Sequence, residues 1–178
     1  MTSPHDFALP LQAALLEYFA GERREMLLVL GGSALFVTLA VWLWIADRSA
    51  FATGFTVTVL ISVALVASTA GSLLVRDKSL VGTLTQQVNS PDARAAIQAE
   101  RGRVEVVASK YRYYRYGAAT ITALVLLGLL LSHRPWVHGV AAGLLLLVVA
   151  QVMIDHYSER RAGLYLERLT QSANAPNP

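Results

Sequence analysis

Gly54, Thr58, Ser62, Thr69 and Ser72 recur at helical spacing through an otherwise apolar stretch. Placed at 3.6 residues per turn, they fall within about 80° of one another, and only Leu65 interrupts the face. Such a face has two chemical uses. In an oligomer its hydroxyls can line a water-filled path. Within a bundle, small residues let helices approach closely, and hydroxyls bond across to a neighbour or back to their own helix. Packing is the commoner use. Gly139 and Gly143 form a G-x-x-x-G pair in a later apolar stretch and carry the same packing meaning.

A second constellation is charged and aromatic. Val104, Val107, Tyr111 and Tyr114 form one helical stripe, flanked by Arg101, Arg112 and Arg115 on one margin and by Arg103 and Lys110 on the other. An apolar centre with basic margins suits an interfacial helix whose long side chains reach anionic lipid headgroups. The same stripe can instead pack on the tail of the last helix, and the short link between the last two spans favours that arrangement. Aromatic and basic residues can also stack on single-stranded nucleic acid. Tyrosine and arginine beside a membrane span need no such partner, so no nucleic acid is expected.

Catalytic and metal chemistry find little support. His133, His138 and Asp47 could approach one another, but a zinc site needs three or four ligands. Asp155, His156 and Glu159 do not supply a positioned base beside a nucleophile. No H-E-x-x-H, G-x-S-x-G or P-loop occurs, and there is no cysteine to act as nucleophile, disulfide partner or thiolate ligand. Neither a cofactor nor an enzymatic activity is expected.

The elements that hold these residues follow from composition. The chain has 178 residues, 54% hydrophobic and only 15% charged, against about a quarter charged in soluble domains. The apolar residues are gathered into blocks. The first span, Met26–Ala46, is free of charge and long enough to cross a hydrocarbon core of about 30 Å. Ala50-Phe51-Ala52 has the form of a signal-peptide cleavage site, but the apolar run is too long and a second span follows directly, so it is read as uncleaved. The second span runs from Phe51 to Val75, the third apolar core reaches about Ser132, and the fourth covers Val137–Ile154. Apart from His138 at the edge of the fourth, no ionisable residue lies within any of the four, which argues against an ion-coupled pump.

Outside the spans, LQAALLEYFAGERRE reads as a short helix opened by Pro10. Its Leu11, Leu15, Tyr18 and Phe19 suit either a helix lying on the membrane surface or one docked on the protein's own cytoplasmic part. Ser79–Val88 reads as a further short helix. Ser90, Pro91 and Asp92 read as cap and first turn of a rod that continues into the third span. Leu164, Tyr165, Leu166 and Leu169 are available for packing where the fourth helix continues past Tyr157.

Of the 15 lysines and arginines, only Arg48 and Arg134 fall in the two short links. The positive-inside rule then places both termini and the central basic region in the cytoplasm. The expected fold is an all-α integral membrane protein of two antiparallel transmembrane hairpins, with spans three and four extended into a cytoplasmic helical stalk. Its parts are an amphipathic segment (residues 1–25), hairpin 1 (26–75), a basic helical region (76–116), hairpin 2 (117–154) and a C-terminal helix with a disordered tail (155–178). The expected function is that of a non-enzymatic bacterial inner-membrane protein acting through protein–protein binding. In general layout it resembles the small four-span immunity proteins that neutralise membrane-acting toxins, such as those delivered by type VI secretion. The alternative is a small oligomeric channel lined by the hydroxyl face of the second span. Expected partners are anionic headgroups and either another protein or further copies of the chain.

Overall fold

The computed structural model describes residues 4–88, 90 and 93–174. They form four helices, α1 (Pro4–Asp47), α2 (Ala50–Val88), α3 (Ala93–Leu131) and α4 (Pro135–Asn174). At 39 to 44 residues each, these rods are about 60 Å long, twice the roughly 30 Å of a hydrocarbon core. Each carries a window long and apolar enough to cross a membrane. The other half of each rod carries most of the charge, so the molecule has a link end, a span region and a charged end.

At the link end the chain turns with few residues. Arg48 ends α1 in the left-handed region, with φ 49°, and its N–H donates to the Trp44 carbonyl at 3.0 Å. Ser49 then caps α2, its hydroxyl accepting the Ala52 N–H at 3.1 Å and donating to Asp47. The α3–α4 link is closed by Arg134, whose carbonyl accepts the Val137 N–H at 3.0 Å. Pro135 opens α4 where a missing N–H costs nothing.

Three sequence expectations are modified. The segment opened by Pro10 is not a separate helix, because α1 runs unbroken through Gly21 and the charged Glu22–Glu25 stretch. Gly21 has a packing role there: a Cβ would stand 2.8 Å from Cδ of Arg161. Likewise Ser79–Val88 continues α2. The Ser90 hydroxyl donates to the Gln87 carbonyl at 2.7 Å, serving the end of α2, while the Ser90 carbonyl accepts the Ala93 N–H at 3.1 Å. Pro91 and Asp92 lie outside the described residues, as does the tail from residue 175.

The helices pack in the spatial order α1, α2, α4, α3, with α1 also touching α4 and α2 touching α3, and among the described residues the backbones of α1 and α3 do not meet. Ala40 and Ala52 are fully buried where α1 meets α2, and the Thr56 hydroxyl crosses to the Ala40 carbonyl at 2.8 Å. The span of α3 is the least covered, with 6% of its most apolar window buried against 28% in α2.

At the charged end the four helices close on one core. Leu11, Leu15, Tyr18 and Phe19 of α1 pack with Leu84 and Val88 of α2, Ile97, Val104 and Tyr111 of α3, and Ala162, Tyr165 and Leu169 of α4. The N-terminal apolar residues are thus docked on the protein itself. Leu166 packs against this core, whereas Leu164 faces outward at 58% exposure.

Candidate functional site

The two glycine-containing faces read from the sequence meet each other between α2 and α4. A Cβ on Gly139 would overlap the Phe51 carbonyl oxygen and stand 2.8 Å from the Phe55 nitrogen. One on Gly54 would overlap the Trp136 carbonyl, and one on Gly143 would lie 2.9 Å from Cβ of Thr58. Thr58 and Ser62 are buried, and the Thr58 hydroxyl donates to its own helix at the Gly54 carbonyl, 2.9 Å away. Thr69 and Ser72 are exposed, donating to Leu65 at 3.0 Å and Ser68 at 2.8 Å. The hydroxyl face is therefore divided: its link-end half packs on α4, and its other half faces outward.

Where the α4 glycines stop, α1, α2 and α4 diverge around a cavity of about 350 Å³. Its walls are apolar, with Gly32 and Ser33 of α1, Ser62 of α2 and Gly143 of α4 providing the width. Glu25, Gln151 and Tyr157 stand at its charged-end mouth.

Below the mouth lies a layer of acids, Asp77 and Glu100 buried and Glu22 and Glu25 half-buried. Glu25 accepts from the Ser158 hydroxyl and the Arg161 guanidinium. Arg76 bridges Asp77 at 2.7 Å and Glu22 at 3.4 Å, leaving Asp77 Oδ2 and Glu22 Oε2 buried without a hydrogen-bond partner. Glu100 accepts two bonds of 2.7 Å from Arg103 and one of 3.3 Å from the Tyr165 hydroxyl. Tyr165 stacks on Tyr18 with ring centroids 4.4 Å apart, and burial followed by the nearby Glu22 pushes the Tyr18 phenol up to about 12.

Burial, then the neighbouring Asp77 carboxylate, raises the Glu22 carboxyl above its ordinary value of 4.5, and Arg76 only partly offsets this. The folded bundle thus holds the Glu22 proton more tightly than an unfolded chain does. In the window above 4.5 the folded state binds more protons, so stability falls as pH rises. Glu22→Gln is expected to flatten this slope and to melt higher than wild type at neutral pH, the difference shrinking as the pH approaches 4.5. Thermal melts of detergent-solubilised protein across that range measure it.

The basic stripe of α3 is also divided. Val104 is fully buried and Tyr111 nearly so, with Val107 packed beside them, while Tyr114 is exposed. Arg103 turns inward to Glu100 and lies over the Phe19 ring at 5.8 Å, so it is not available to a headgroup. Arg101 pairs with Glu105 on its own helix and Arg115 with Glu159 of α4, each at 2.8 Å. Lys110 and Arg112 are exposed.

Family models, curated proteins and solved structures give no match to this chain. The remaining polar clusters do not converge. His138 Nε2 sits 2.8 Å from the Ser132 carbonyl. Asp155 accepts from Gln151, Glu159 binds Arg115, and the His156 ring meets Tyr157 edge-on. No three His, Cys, Asp or Glu side chains are placed to hold a metal ion among the described residues.

Sequence reasoning missed these inward-facing acids, yet a signal for them exists. Glu22 follows Leu15 by seven residues and Tyr18 by four. Glu100 stands three after Ile97 and four before Val104. Asp77 is seven from both Ala70 and Leu84. Each acid lies on the buried stripe of its helix, where an acid signals an ion pair with another element.

Proposed function

We infer that this chain is a non-enzymatic protein of the bacterial inner membrane that acts by binding another protein. Its helices cross as two antiparallel hairpins, with both termini and the charged end in the cytoplasm. The distribution of lysine and arginine supports this orientation: Arg76, Lys78, Arg94, Lys110 and Arg112 cluster at one end, with Arg48 and Arg134 alone at the other. Exposed Lys110 and Arg112, beside Tyr113 and Tyr116, meet anionic headgroups at that surface.

One observation carries the binding reading. The charged ends are closed around a shared core, whereas the span of α3 packs on α4 along one side only and leaves most of its apolar window exposed. That span is a free membrane-embedded surface, rigidly held from below, against which a foreign helix can lie. A membrane-acting toxin is the sharpest form of such a partner, and the protein would then confer immunity by occupying it. The channel reading has less support, because Gly54, Thr58 and Ser62 face α4 or the cavity between α1, α2 and α4, and of this face Thr69 and Ser72 remain to line a path.

Purification in mild detergent, from cells that also express the genetically neighbouring proteins, tests this reading. Native mass measurement is expected to show a stoichiometric foreign partner, retained when Thr69 and Ser72 are replaced by alanine. A homo-oligomer that conducts in planar bilayers, with conductance altered by those replacements, would overturn it.

A further inference from the structure

The cavity between α1, α2 and α4 has a shape that limits what can enter. Its volume of about 350 Å³ is at the low end of small-molecule sites. At roughly 30 Å³ per group it holds about a dozen groups the size of water or methylene. Along α4 it extends from Gly143 to Tyr157, about 20 Å at 1.5 Å per residue. A narrow apolar slot of this length, polar at one end, matches a single hydrocarbon tail with its head at the charged-end surface.

The mouth selects the head. Glu25 is neutralised by Arg161, and Glu159 by Arg115. Asp155 accepts from the lining amide of Gln151 at 2.8 Å and makes no ion pair among the described residues. It is the acid at this mouth with charge to offer, and its complement is an ammonium group.

We propose that this cavity is a lipid site holding one acyl chain of a phospholipid from the charged-end leaflet, with the headgroup ammonium on Asp155. The site is separate from the uncovered face of α3, so it does not depend on which protein the chain binds. The lipid completes the packing that the small residues Gly32, Ser33, Ser62 and Gly143 leave open.

The test is lipid retention by the detergent-solubilised full chain, read by native mass measurement with added phosphatidylethanolamine or phosphatidylglycerol of matched chains. Wild type is expected to retain one phosphatidylethanolamine, with about a five-fold preference over phosphatidylglycerol, the scale of one partly exposed ion pair. Asp155→Asn is expected to bring the two lipids to parity. Gly32→Leu, which points a side chain into the slot from a position with open space around it, is expected to abolish retention. Gly31→Leu, in equally open space but outside the slot, is expected to leave it unchanged. Wild type binding the two lipids equally, or Gly32→Leu retaining lipid as wild type does, overturns the proposal. A readout independent of any substitution is competition by one-chain lysophosphatidylethanolamine. It displaces the lipid from a single-tail slot, and its failure to do so counts against the site.

Discussion

Gly139→Ala is expected to destabilise the protein by about 1–3 kcal/mol, the cost of forcing one extra carbon into a filled contact. The obstacle to that carbon is backbone. It would overlap the Phe51 carbonyl oxygen and crowd the Phe55 nitrogen, and no side-chain rotation can move either, so α2 and α4 must separate. Separation would also loosen the contacts of Gly54 with Trp136 and of Gly143 with Thr58, which lie along the same line. Gly31→Ala and Gly71→Ala are the controls, since nothing lies within 4 Å of a Cβ at either position. There alanine is expected to be neutral, or stabilising by up to about 1 kcal/mol through helix propensity. Unfolding in mixed micelles, followed by the fluorescence of Trp42, Trp44 and Trp136 together, measures all three. Equal losses at all three glycines would show that the α2–α4 contact is not the cause.

Leu15→Ala is expected to cost about 2–5 kcal/mol, the range for deleting a buried leucine side chain and leaving a cavity. Leu15 is 1% exposed in the one core that all four helices share, together with Leu169 at 2% and Val104 at 0%. Its loss is expected to open the charged end while the spans stay in the membrane, because the span contacts of α2 with α1 and α4 do not involve it. Limited proteolysis between residues 76 and 116 and amide exchange of α3 report that opening. The neighbouring Leu16 is 46% exposed, and Leu16→Ala is expected to change stability by less than about 0.5 kcal/mol. Indistinguishable effects at the two positions would mean that this core does not hold the end together.

The four spans were legible because apolar blocks bounded by charge declare themselves. The short links were legible from Asp47-Arg48-Ser49 and His133-Arg134-Pro135. What pattern alone could not supply was which faces meet. The Gly54–Ser72 face is regular along its own helix, yet only its first half packs, because close approach from α4 ends at Gly143. Glu22–Glu25 reads as the end of a short helix separate from the first span, but α1 continues through it and turns both acids inward. Their partners, Arg76 and Arg161, come from α2 and α4. Arg103 reads as a marginal basic residue until Glu100, one turn earlier, is seen to be buried. Local periodicity finds a stripe, but its neighbour is a property of the whole bundle.

The orientation of the bundle underlies both the protein-binding and the lipid readings, and the lack of native cysteine makes it directly measurable. Single cysteines at Ala50 and His133 mark the link end, and others at Ser109 and Gln171 mark the charged end; all four positions are exposed. With a membrane-impermeant maleimide on intact spheroplasts, Ala50→Cys and His133→Cys are expected to label. Ser109→Cys and Gln171→Cys are expected to label only after lysis. Labelling of Ser109→Cys from outside, or opposite behaviour of Ala50→Cys and His133→Cys, would contradict the four-span, both-termini-inside account.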